Sequence, residues 1–160
     1  MDVAHEGNAN ASSEEAAEVV AVISDLLGRR WRDRDGVERQ IRPADVLVVT
    51  PFNAQIREIE EALESASLTG ISVGTVDKFQ GRQAPAVVYS MASSSSEEAP
   101  RGMEFLYDLH RLNVATSRAL CLAIVVANPN LASVFGRTPR QMHLANALCR
   151  LRELAGDTGN

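Results

Sequence analysis

Two segments of this 160-residue chain concentrate side chains that could do chemistry. The first is Val73 to Ala84, VGTVDKFQGRQA, where Gly74 and Gly81 stand among Thr75, Asp77, Lys78, Gln80, Arg82 and Gln83. Apolar runs flank it, Ile71–Val73 before and Ala86–Ser90 after. A polar, glycine-bearing crossing between two buried strands is where an α/β sheet builds a ligand site. Ordinary turn glycines would give the same pattern. The second segment holds Arg111, Ala115 and Arg118 at i, i+4 and i+7, a spacing that puts both guanidinium groups on one helix face. Two arginines separated by a small residue make a compact cationic surface, and a guanidinium fork holds phosphate in two-point contact. A smaller candidate is Thr50–Gln55, TPFNAQ, at the mouth of a predicted strand, where a hydroxyl and an amide can face a ligand.

Composition bounds what these residues can belong to. The chain suits one core and one domain, with 45% hydrophobic and 23% charged residues. Cys121 and Cys149 lack metal-ligand spacing and read as buried thiols of a cytoplasmic protein. No apolar run reaches membrane-spanning length, and the first eleven residues hold no signal-peptide core. The formal charge of −5 argues against a simple basic nucleic-acid coat. That charge is uneven: residues 1–65 carry −7 and residues 66–160 carry +2. All cations but Lys78 are arginine, which suits phosphate recognition and equally fits a codon bias.

Several elements must position the candidates. Ser12-Ser13-Glu14-Glu15 reads as a capping box, with Glu15 reaching back to the Ser12 N–H. A helix then runs to about Leu27, buries Ala16, Val19, Val20, Ile23, Leu26 and Leu27, and ends at Gly28. Arg29–Arg42, RRWRDRDGVERQIR, reads as a solvated hairpin about Asp35-Gly36 with Trp31 covering a core edge. An Arg-Trp-Arg clamp on a nucleic-acid strand is the alternative. Asp45–Thr50 is a strand buried on both faces, and Asn53 caps a helix over Ala54–Ser65. Further strands are expected at Ile71–Val73, Ala86–Met91 and Leu120–Ala127. Ala92–Gly102 reads as a mobile, Ser-rich surface loop. A helical turn at Leu131–Phe135 and a terminal helix at Pro139–Leu154 complete the pattern, and 156–160 is a frayed tail. Strands alternating with helices predict a three-layer α/β domain with a mostly parallel sheet.

The three segments also carry a family resemblance. GTVDKFQGRQA resembles motif V of superfamily 1 helicases, in the branch related to RNA-decay and DNA-replication helicases; Gln83 stands where that family usually has Glu. TPFNAQ resembles motif IV, with Ile56 where some relatives place a phosphate-binding Arg. RLNVATSRA, Arg111 to Ala119, resembles motif VI, with Ser117 in place of the usual Thr. The motifs occur in family order. The version VATSRA, after PRGMEFLYDLHRLN, is most similar to the helicase end of bacterial proteins that fuse a RecB-like nuclease to a helicase.

The resemblance implies a RecA-like domain over residues 1–155, the second lobe of an ATP-dependent motor. It implies that Arg118 is the arginine finger and that Gln55, Gly81, Gln83 and Arg111 join it around ATP. Thr50 and Thr75 would hold the backbone of a single strand, more readily DNA than RNA, and Gln80 would couple the two sides. The chain has no G-x4-G-K-[ST] and no Asp-Glu pair of Walker B type. ATP and Mg²⁺ are therefore expected mainly on a first lobe elsewhere in a longer chain, and this piece alone should not hydrolyse ATP. Two other classes stay open: a non-catalytic lobe that binds nucleic acid or protein, and a small-molecule enzyme on a Rossmann-like sheet. The second of these finds no G-x-G-x-x-G.

Overall fold

The structure is a computed structural model describing residues 1–95, 97–99, 105–106 and 108–133, with isolated positions beyond. Its elements, in chain order, are α1 (Ser13–Leu26), β1 (Arg30–Arg32), β2 (Glu38–Gln40), β3 (Val46–Val49), α2 (Asn53–Ser65), β4 (Ser72–Gly74), β5 (Ala84–Ser90), α3 (Leu109–Thr116) and β6 (Ala119–Val126). Short 3-10 turns cover Pro43–Asp45, Val76–Phe79 and Pro129–Ser133. The expected terminal helix falls largely outside the described residues.

Four strands form one parallel sheet in the order β4-β3-β5-β6, and β1 and β2 form a separate antiparallel hairpin. β3 and β5 are buried along their whole length, as continuous apolar strands in the middle of a covered sheet should be. Residue alternation then builds two cores. Val46, Val48, Ala86 and Val88 face α1 and α2, meeting Val19, Ile23, Ile59 and Leu63. Leu47, Val49, Val87 and Tyr89 face the other way, onto Phe79 of the 3-10 turn and Ala115 of α3. The sheet is thus covered on both sides in three layers, the expected α/β architecture. Connections leave β3 and β5 in opposite directions on opposite faces, as right-handed crossovers require.

Local chemistry explains most boundaries. Ser12 Oγ accepts the Glu15 N–H at 3.1 Å and starts α1. Gly28, at φ +80°, closes it in a conformation that favours glycine. Asp33 Oδ1 accepts from the Asp35 and Val37 amides and sets the β1–β2 turn. Pro85 sits at a register shift between Ala84 and Ala86, where a missing N–H costs no ladder bond. Met1–Val3 adds a short parallel pairing beside the end of β6, centred on Asp2 and Ala127.

Four expectations are corrected. Glu15 does not reach back to Ser12; it is fully buried and its carboxylate turns to His5, Ser90 and the Ala92 amide. The Ser12 N–H donates instead to Gln55. Asn53 lies inside α2, whose cap position is Phe52 with no side-chain cap bond. Ala92–Ser94 are buried rather than a surface loop, because Glu15, Ala9 and Asn8 tie them down. Cys121 is exposed, since β6 turns its first half toward the surface, and Cys149 is half-buried.

Candidate nucleotide and strand-binding edges

β5 runs from one edge of the domain to the other, and the candidate residues divide between its two ends. At its start lie Gly81, Gln83 and Arg118. Phe79, 1% exposed, anchors the turn from below, and the Arg82 N–H closes on the Phe79 carbonyl at 3.0 Å. That closure puts Gly81 at φ +79°, where a side chain would strain the backbone. The Ala84 N–H then donates to the Arg118 carbonyl at 3.0 Å, and Ala84 pairs with Ala119. Motif-V-like and motif-VI-like segments are therefore stitched together by a backbone hydrogen bond. Gln83 is exposed beside this junction. The Arg118 side chain is half-buried, and its Nε is sequestered from solvent with no hydrogen-bond partner. A buried donor left unpaired costs about 1–3 kcal/mol.

The tip of the β1–β2 hairpin stands over the same edge. A groove of about 370 Å³ opens between Trp31, the run Arg32 to Asp35, Gln83 and Leu120. Sequence reasoning treated this hairpin as a solvated connection. Most of its arginines are indeed neutralised, Arg32 by Glu38 and Arg39 by Asp33. Only the tertiary placement of the hairpin beside Gln83 and Leu120 of β6 gives it a site to line.

At the far end of β5 are Thr50, Thr75 and Arg111. The Thr50 N–H donates to the Gly74 carbonyl at 3.1 Å, so the motif-IV-like and motif-V-like strand ends are also joined. Thr50 itself has no exposed surface, and its hydroxyl faces the Phe52 N–H at 3.5 Å. Thr75 is half-buried and precedes the 3-10 turn, whose exit residue is the exposed Gln80. Gln55 is fully buried, with its carboxamide engaged by Ser12 and Ser90. It serves as an interior tie and presents no group to a ligand.

The helical spacing of the two arginines is also corrected. α3 ends at Thr116, and Arg118 lies in the turn beyond it, its N–H donating to the Ala115 carbonyl. Arg111 stacks over the Phe105 ring at 4.1 Å and pairs with Asp108 at 3.6 Å. Its charge acts on Tyr89, near the end of β5, whose phenol burial pushes well above its usual pKa. Arg118 adjoins Ala84, five residues back along the strand. Leaving the helix before Arg118 breaks the i, i+7 register that would put both guanidinium groups on one helix face.

Comparison with known proteins decides the family. The AAA domain family matches residues 2–130. The chain belongs to it. The chain is also 34% identical over 132 residues to the human 3'-5' exoribonuclease HELZ2, covering 73% of this chain and 4% of that protein. It is 34% identical over 98 residues to the mouse RNA helicase Mov10l1, covering 59% and 8%. Across 96% of its length it is 28% identical to the Arabidopsis thaliana DNA replication ATP-dependent helicase/nuclease JHS1, spanning 10% of that protein. This AAA domain is of superfamily 1 helicase type, and it spans about a tenth or less of each relative named. Among the described residues no helix is long and apolar enough to cross a membrane.

Proposed function

We propose that this AAA domain is the second lobe of an ATP-dependent superfamily 1 motor. In this reading a first lobe of the same longer chain holds ATP and Mg²⁺. Arg118 then meets the γ-phosphate across the cleft. As water displaces ADP from the γ-phosphorus, negative charge grows on the transferring oxygens, and a guanidinium placed there lowers the barrier. Gln83 hydrogen-bonds ribose or phosphate, and Gly81 lets the backbone come close. Thr75 contacts the sugar-phosphate backbone of a single strand, DNA in preference to RNA, at the opposite end of β5. Gln80 lies on the segment that joins the two. Backbone contacts of this kind grip without reading sequence.

The observation that carries the reading is the unpartnered Nε of Arg118, a residue whose backbone carbonyl accepts from the Ala84 N–H next to Gln83. The test is Arg118→Ala in the two-lobe motor. ATP turnover should fall by about 10³ or more while single-strand affinity stays within about twofold. Unchanged turnover removes Arg118 from this role. A second reading, a lobe that only binds nucleic acid or protein, is favoured by Gln83, which lacks the charge of the usual carboxylate. Under it the same substitution changes no ATP turnover at all.

A further inference from the structure

The parallel sheet has two outer strands, and their open sides differ. At β4 the Thr50 N–H donates to Gly74, so the adjacent Val73 carbonyl points away from β3. The Lys78 ammonium closes that carbonyl at 2.6 Å, and its stem crosses Gly74 where a β-carbon would collide with it. A lysine laid along an edge strand guards it against further pairing. β6 has no such guard. Leu120, Cys121, Leu122 and Ala123 are all exposed, so the first half of the strand is bare on both faces. The Met91 N–H donates to Val126, which turns the backbone groups of Ile124 and Val126 toward β5. Those of Ala123 and Val125 therefore face outward. Among the described residues, no hydrogen bond reaches the Ala123 pair or the Val125 N–H from that side.

The far end of this edge is already in use. Asp2 sits opposite Ala127 in parallel sense, the Ala127 N–H donates to the Met1 carbonyl, and the Val3 N–H donates to Ala127. The Met1 nitrogen takes the next ladder position, on the Val125 carbonyl at 2.6 Å. In that register a chain continued backwards from Met1 runs beside Val125 and Ala123 toward Ala119. Topology points the same way. α1 covers the same sheet face as α2, and the path from Met1–Val3 through α1 to β3 crosses the sheet in the direction of β3 through α2 to β4. It is a right-handed crossover that begins from a strand here only three residues long. We infer that the open edge of β6 seats the residues preceding Met1 in the longer chain as a fifth parallel strand, an inference that rests on the proposed function. That strand enters beside Ala119, the residue after Arg118, so it tethers the first lobe at the edge where the finger acts. Main-chain bonds hold it, and the exposed leucines of β6 pack against its side chains.

Residue-resolved amide hydrogen exchange tests this, comparing the 160-residue chain with the longer chain that carries the first lobe. The Ala123 and Val125 amides should exchange at least about tenfold more slowly in the longer chain, while those of Ile124 and Val126, already turned to β5, change much less. Replacing the residues just before Met1 with a Gly/Ser linker of equal length should restore fast exchange at Ala123 and Val125. Equal rates in the two chains overturn the assignment. So does protection that survives the Gly/Ser replacement, which gives the edge to another part of the longer chain. Protection in the 160-residue chain that grows with its concentration also overturns it and gives the edge to a second copy. Exchange at β6 and the ATP turnover of Arg118→Ala are separate readouts, so the added strand and the finger can fail independently.

Discussion

At the residue scale, the most consequential side chain outside the two edges is Glu15. It is fully buried and accepts from Ser90 Oγ at 2.7 Å and the Ala92 amide at 2.9 Å, with His5 Nε2 at 3.1 Å. His5 in turn meets Ser94 Oγ at 2.7 Å. Two segments distant in sequence, around His5 and Glu15, are thereby pinned to the end of β5. Glu15→Ala leaves these partners without a counterpart in the interior. It should cost about 3 kcal/mol, read as a lower denaturation midpoint at unchanged slope. A loss below about 0.5 kcal/mol would show that the network is not structural. The identity of Ser12 as a cap was readable from sequence; the destination of the Glu15 carboxylate was not. A capping box is defined by local spacing, whereas Ser90 and Ala92 arrive through the fold.

At the scale of the element, the β1–β2 hairpin shows what patterning reveals and what it hides. Asp-Gly between short charged runs announces a turn, and Gly36 is at φ +80°. Its partner was silent, because no local signal says that the hairpin leans on Gln83 and Leu120. Asp33 holds the turn together. The Val37 amide, then the Arg39 guanidinium, keep its carboxyl below the usual carboxylate range. Because the folded value is the lower one, this contribution is present above the unfolded value of about 3.9 and is lost as pH falls through the folded value. Trp31 emission should therefore hold steady from pH 7 to about 5 and change below about 4. Asp33→Asn should already show the low-pH emission at pH 7. An unchanged emission across this range would separate Trp31 from the turn. α3 gives the opposite lesson. Periodicity carried through Arg118 predicted one cationic face, but the chain must leave the helix at Ser117 to enter β6. A helix-to-strand junction hides inside a run with no Gly or Pro to mark it.

For the whole molecule, the three layers and the parallel sheet were legible, and the order of strands within it was not. Four continuous or alternating apolar runs separated by helical periods leave few other arrangements. The division of candidate residues between two opposite edges was not, since distance along β5 has no counterpart in motif order. Acidic residues concentrate in the first 65 positions, and the remainder is weakly cationic. Strand binding by a chain of this charge should rest on a handful of contacts. Log affinity against log salt should fall with a slope of about −0.7 for each phosphate engaged, and a slope steeper than about −4 would require a larger basic surface than this domain carries. β5 itself sets how the two edges communicate. All seven of its residues are buried, with both cores packed against it and its neighbours paired on either side. A beam clamped this way has no slack to take up. In the proposed motor, a displacement imposed at the Gly81–Gln83 edge should therefore reappear at the Thr75 edge, the domain moving as one solid piece.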